Sequence, residues 1–123
     1  MYQIAVCDDD IYFLDKFTKT LLYAWGEEQV EIQTYQDGQT LLEDVERGNR
    51  YQVFFLDIQL ASENGIDVAR KLKIYSSDSV LIYVSAMEEC IFQTFQTFPF
   101  WFVRKGKLDE DLRQMLPELR KQM

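Results

Sequence analysis

Five short apolar runs, each followed by a polar residue, constrain this chain more than any other feature: Tyr2 to Cys7, Val30 to Tyr35, Tyr51 to Leu56, Val80 to Val84 and Phe100 to Val103. YQVFFL, VLIYV and FWFV are almost continuous, the pattern of strands buried on both faces. The second run alternates through Val30, Ile32 and Thr34, as a half-buried strand does. Helical spacing fills the gaps: Ile11, Leu14, Thr18, Leu21, Leu22 and Trp25; then Leu41, Leu42 and Val45; then Ile66, Ala69, Leu72 and Lys73. A fourth helix is expected through Cys90, Ile91, Thr94, Phe95 and Phe98, stopped by Pro99, and a fifth through Leu108, Leu112, Met115, Leu116 and Leu119. Pro117 inside that last helix should kink or break it. Strands alternating with helices imply a parallel sheet with helices on both faces and right-handed crossovers. The expected fold is α/β: a doubly wound, five-stranded parallel sheet forming one domain over residues 1–123, without repeat or linker.

The strand ends carry the chemistry. Asp8 and Asp9 follow the first strand, Asp57 the third, Ser85 the fourth and Lys105 the fifth. In a parallel sheet all C-terminal strand ends share one edge, where ligands bind. Three carboxylates, a hydroxyl and a cation should therefore meet there. Two carboxylates ~4 Å apart repel by roughly 4 kcal/mol at an effective dielectric of 20. Three need neutralising, and a hard divalent cation such as Mg²⁺ matches an all-oxygen donor set. Zinc does not, because the chain has no histidine.

The missing histidine also excludes Ser-His-Asp triads, Cys-His pairs and any phosphohistidine on this chain. The net charge of −8 makes a poor non-specific binder of DNA, RNA or anionic lipid. That charge is uneven: residues 1–68 hold 14 acids and 4 bases, residues 69–123 hold 7 acids and 9 bases. No run approaches the ~20 apolar residues of a membrane span, and no signal peptide is visible. Direct nucleic-acid and membrane binding are thus not expected, and a cytoplasmic location is. Cys7 and Cys90 are read as reduced and buried.

Asp8-Asp9, Asp57, Ser85 and Lys105, with VCDDD at 6–10, FFLDIQL at 54–60, NGIDVAR at 64–70, VSA at 84–86 and FVRK at 102–105, resemble the response regulator receiver domains of two-component signalling. The resemblance covers the whole chain. PFWFVRK at 99–105 further resembles regulators with a LytTR-type DNA-binding output, for which this chain has no room. The resemblance implies the receiver strand order 2-1-3-4-5 and a phosphorylation switch rather than an enzyme, with at most slow self-phosphorylation and self-dephosphorylation. Asp57 would accept a phosphoryl group from a sensor histidine kinase. Asp9 would bind Mg²⁺ directly, Asp8 directly or through water, and Asp57 and the backbone carbonyl of Gln59 would complete the protein ligands. Lys105 would neutralise phosphoryl charge and Ser85 would hydrogen-bond a phosphoryl oxygen. Phe102 would move inward as the switch, altering the surface of the fourth helix, fifth strand and last helix to control transcription. A homodimer on activation is expected.

Three positions depart from the family pattern. Gly106 replaces the proline that usually follows the lysine, so the loop runs trans or carries strain, and Arg104 is an alternative cation. Ala61 stands where proline is frequent and should loosen the loop after Asp57. Met87, two residues after Ser85, is apolar near the path of attacking water, which implies slow self-dephosphorylation. The other readings are a degenerate receiver that binds partners without phosphorylation, and a small phosphohydrolase, which would want an acid where Gln59 stands. Asp10 is expected as the N-cap of the first helix, Gly65 as the enabler of the turn before the third, Phe102 as switch or plain core aromatic, and Phe92 and Trp101 as packing or a dimer patch.

Overall fold

The continuous apolar runs become the centre of a sheet. In the computed structural model, which describes residues 1–123, the strands are β1 (Tyr2–Cys7), β2 (Val30–Tyr35), β3 (Val53–Leu56), β4 (Val80–Ser85) and β5 (Trp101–Arg104). The helices are α1 (Ile11–Trp25), α2 (Gly38–Glu46), α3 (Gly65–Tyr75), α4 (Ile91–Thr94) and α5 (Leu108–Gln122). All strand pairs are parallel, in the order β2-β1-β3-β4-β5. The expected doubly wound sheet is therefore the observed one. Tyr51 lies just outside β3, although its ring is buried.

Successive strand residues point to opposite faces, so each central strand feeds two cores. Ala5, Phe54, Leu56, Leu81 and Tyr83 pack with Leu41 and Val45 of α2 and Leu72 of α3. Ile4, Val6, Phe55, Ile82 and Val84 pack with Phe17 and Leu21 of α1 and Leu112, Met115 and Leu119 of α5. Each large aliphatic or phenyl side chain among these contributes about 1.5–3 kcal/mol by leaving water. β2, an edge strand, buries only Val30 and Tyr35 fully.

Two expectations change. The fourth helix is a single α-helical turn between 3₁₀ turns at Glu88–Cys90 and Phe95–Thr97, ending where Phe98 takes a left-handed φ of 52°. Thr94 and Thr97 turn their hydroxyls back onto the carbonyls of Ile91 (2.6 Å) and Thr94 (2.7 Å), competing with the regular helix ladder. By contrast, α5 runs unbroken through Pro117. Pro117 and Arg113, one turn before it, are both exposed, so water can replace the donor that proline lacks.

Candidate functional site

Backbone pairing places the acids side by side. The β1–β3 register ends at Cys7 opposite Leu56; one residue on, the Asp57 N–H donates to the Cys7 carbonyl at 3.0 Å and the Asp8 N–H to the Tyr35 carbonyl at 3.0 Å. Asp8 and Asp57 are thus neighbours at the C-terminal sheet edge, both buried, and exposed Asp9 joins them. One carboxylate oxygen from each lies within 4.8 Å of the others. Asp10 caps α1, accepting from the N–H groups of Tyr12 (3.0 Å) and Phe13 (3.2 Å), so it is the N-cap expected from the sequence.

Lys105 enters from the end of β5. Its Nζ lies 2.7 Å from Asp8 Oδ2 and 3.1 Å from Asp57 Oδ2, and 4.3 Å above the centre of the Phe13 ring. Burial pulls the Lys105 ammonium down, but Asp8 and Asp57 prevail and hold it above its ordinary range. Burial pushes the Asp8 carboxyl up, and the Asp57 charge adds to it; Lys105 and the Asp10 N–H oppose this without cancelling it.

Gly106 does not displace the lysine. No peptide bond in the chain is cis, and Lys105–Lys107 form one 3₁₀ turn. Arg104 is no substitute cation: its guanidinium is taken by Asp111, with Nη2–Oδ1 at 2.7 Å and Nε–Oδ2 at 2.9 Å. The Arg104 backbone N–H also donates to Asp111, at 2.9 Å. These bonds hold the Asp111 carboxyl below the usual carboxylate range despite its burial.

Ser85 is buried at the end of β4, its Oγ accepting from the Met87 N–H at 3.0 Å. Its hydroxyl proton remains available to donate. Phe102, opposite Tyr83 in the sheet, is half-buried and packs on the α2–α3 core together with Met87. Behind them the Tyr83 hydroxyl bonds Thr97 Oγ1 at 2.6 Å.

The loop after Asp57 is tied despite Ala61. Its ends pair through a bridge between Gln59 and Asn64, and the Gly65 N–H donates to the Ile58 carbonyl at 2.6 Å. Gly65 is required by proximity, because a Cβ there would sit 1.9 Å from the Asp57 carbonyl oxygen. The expected turn thus depends on the missing side chain rather than on a positive φ. Cys7 and Cys90 are buried and free. Burial, and then the surrounding acids, push the Cys7 thiol well above its usual range.

Phe13 and Asp111 belong to this region without having been singled out by the sequence pattern. Phe13 lies in the first turn of α1, next to the aspartates, which was a usable signal. The seven-residue separation of Arg104 and Asp111 carries none.

The donor set suits a hard divalent cation. Three carboxylates face one ammonium, and Asp8 Oδ2 is buried without an aligned hydrogen bond, its only compensation being the Lys105 charge. Such an oxygen is short of positive charge, and Mg²⁺ takes oxygen ligands.

The sequence profile described as "Response regulator receiver domain" matches residues 4–116. Among curated relatives, the Sensory transduction protein LytT of Bacillus anthracis is 27% identical, covering 99% of this chain and 48% of that protein. LytT of Bacillus subtilis is 21% identical, covering 98% and 49% respectively. The chain thus spans about half the length of the curated relatives it matches. Among solved structures, the response regulator DrrB of Thermotoga maritima superposes with a TM-score of 0.82 at 22% identity, over 99% of this chain and 54% of that one. TrrA of the same organism, in complex with Mg²⁺-BeF, gives 0.76 at 25% identity over 94% of this chain and 100% of that one.

Proposed function

Because this chain belongs to the response regulator receiver domain family, we propose that it is a phosphorylation-driven signalling switch with Asp57 as the phosphoryl acceptor. The observation carrying this reading is the cluster at the sheet edge: Lys105 Nζ within 3.1 Å of carboxylates from both Asp8 and Asp57. A structural ion pair needs one acid; an acceptor site needs acids to gather a cation and a separate cation to meet the incoming charge.

Asp8, Asp9, Asp57 and the Gln59 backbone carbonyl would hold Mg²⁺. When bound, the ion supplies positive charge to the oxygens of the transferred group. Asp57 attacks phosphorus through a carboxylate oxygen, forming an acyl phosphate as the donor's bond to phosphorus breaks. Lys105 is already at the nucleophile, so its charge needs no reorganisation as phosphoryl oxygens arrive. Phe13 below it and the two acids beside it restrict where the ammonium can go. Ser85 Oγ donates its hydroxyl proton to a phosphoryl oxygen, which draws the loop after β4 toward the site. Met87 follows, because its N–H is bonded to that same Oγ. Phe102 packs on the same core cluster as Met87, so the pull is passed through that cluster and biases which of two packings β5 and the α4 segment adopt.

A sensor histidine kinase is the donor that the family implies, and its phosphohistidine would lie outside residues 1–123, which hold no histidine. The LytT relatives are about twice as long, which leaves room in such proteins for a LytTR-type output controlling transcription; a dimer on activation belongs to the same reading. No helix of the chain is long and apolar enough to cross a membrane; a cytoplasmic site of action fits a partner kinase signalling inward.

The test is Mg²⁺-dependent labelling by acetyl phosphate. The parent takes up one phosphoryl group and Asp57→Asn none. Equal labelling of Asp57→Asn overturns the assignment. Partner binding that persists in Asp57→Ala favours a receiver that works without phosphorylation.

A further inference from the structure

The loop between Asp57 and α3 reaches across to another element. The Glu63 carboxylate accepts from the backbone N–H of Gly38 at 2.5 Å. Gly38 is the first residue of α2, whose N-cap Asp37 serves the Thr40 N–H instead. The Gly38 N–H is one of the donors that a helix start leaves without an internal partner, and a residue 25 positions away supplies it. The fit is close. A Cβ on Gly38 would lie 2.5 Å from Val68 Cγ2 and 2.9 Å from Glu63 Oε1, so a larger residue there would push the Val68 and Glu63 side chains aside.

Glu63 also acts through its backbone. Its carbonyl accepts from the Leu60 N–H at 3.3 Å. That N–H shares a planar trans peptide unit with the Gln59 carbonyl, and the two groups point in opposite directions. Fixing the Leu60 N–H therefore fixes the direction of the Gln59 carbonyl. We infer that Glu63 is a positioning residue of the acceptor site: anchored on α2 through its carboxylate, it locks the Gln59–Leu60 peptide and so aims the Gln59 carbonyl as a metal ligand. It takes over the stiffening that Ala61 cannot provide. The inference rests on the receiver reading for the identity of the ligand, and on this chain's own geometry for the tether.

Two measurements on the full chain separate these layers. Amide hydrogen exchange without metal reads the tether: in Glu63→Ala the Gly38 and Leu60 N–H groups exchange faster than in the parent, and in Glu63→Gln, whose amide oxygen still accepts, they do not. Calorimetric titration with Mg²⁺ reads the ligand: Glu63→Ala binds about tenfold more weakly, the scale of outer-shell contributions to metal sites, and Glu63→Gln recovers most of the loss. Unchanged exchange at both amides in Glu63→Ala overturns the tether. Altered exchange with unchanged Mg²⁺ affinity overturns the positioning role but leaves the receiver reading standing. A parent that binds no Mg²⁺ overturns both the receiver reading and the role assigned to Gln59.

Discussion

Lys105 Nζ is closer to Asp8 Oδ2, at 2.7 Å, than to Asp57 Oδ2, at 3.1 Å. The lysine thus leans on the proposed metal ligand more than on the proposed nucleophile. It supplies the one positive charge within reach of two buried carboxylates, and on the proposed reading a bound Mg²⁺ would share Asp8 with it.

Removing that charge should separate metal binding from phosphorylation. Lys105→Met is expected to bind Mg²⁺ about threefold more tightly or better, since a like charge a few ångströms away is lost. It should also label at least ~10-fold more slowly with acetyl phosphate, since transition-state charge goes unmet. Calorimetry and a labelling time course check the two arms; weaker Mg²⁺ binding would mean that Lys105 organises the acids instead of competing with the ion.

Mg²⁺ should also stabilise the folded chain. Gathering Asp8, Asp9 and Asp57 is unfavourable until a cation arrives, and a ligand at 100 times its dissociation constant adds about 2.7 kcal/mol. The thermal midpoint should therefore rise on adding Mg²⁺ and fall again with EDTA. Asp9→Asn should lose most of the rise. A midpoint insensitive to Mg²⁺ contradicts the site.

The Arg104–Asp111 pair predicts an acid limb. Asp111 releases its proton more readily in the folded chain than in the unfolded one, because Arg104 and its backbone N–H hold the carboxylate. Its stabilisation is complete above the unfolded carboxyl value of about 3.9 and is lost as pH falls through the lower, folded value. Asp111→Asn should be less stable than the parent at pH 7, with the difference shrinking toward pH 2. Urea titrations across that range measure it, and a constant gap would refute the linkage.

Gly65→Ala should be among the most damaging single changes. Its Cβ would be placed 1.9 Å from the Asp57 carbonyl oxygen, and only backbone movement relieves that. A loss of about 3 kcal/mol or more is expected, on the scale of severe overpacking. Chemical denaturation decides it.

Met87 should set the lifetime of the phosphorylated form. It is half-buried against the core and bonded to Ser85 through its N–H, so it offers attacking water no polar partner. The acyl phosphate should outlast seconds, and Met87→Asn should shorten its life several-fold at unchanged stability. Decay of the parent within seconds would remove Met87 from the account.

Much of this site was legible in one dimension because a parallel sheet maps strand ends onto one edge. Asp8, Asp57 and Lys105 could be assigned to that edge from the apolar runs preceding them, and Asp10 to the N-cap from its place before the first helical residue. The fourth helix is shorter than its spacing implies. Its apolar spacing through Phe98 is genuine, but the hydroxyls of Thr94 and Thr97 claim carbonyls of their own segment, and local hydrogen bonding of that kind leaves no trace in periodicity. Pro117 leaves α5 whole for the opposite reason, since the side of the helix on which a proline falls decides whether water can replace its missing donor.

What the sequence alone determined was the alternation of strands and helices, the two-faced burial of the central strands, and the kinds of groups gathered at one edge, because those follow from hydrophobic period and chain direction. What only the tertiary structure decided was which cation meets which acid. Arg104 and Lys105 are adjacent and alike in charge, yet one turns to Asp111 and the other to Asp8 and Asp57. Successive residues leaving a strand diverge to opposite sides, and the packing decides which acid waits on each: Asp111 lies seven residues on, in α5, whereas Asp8 and Asp57 end strands far away along the chain.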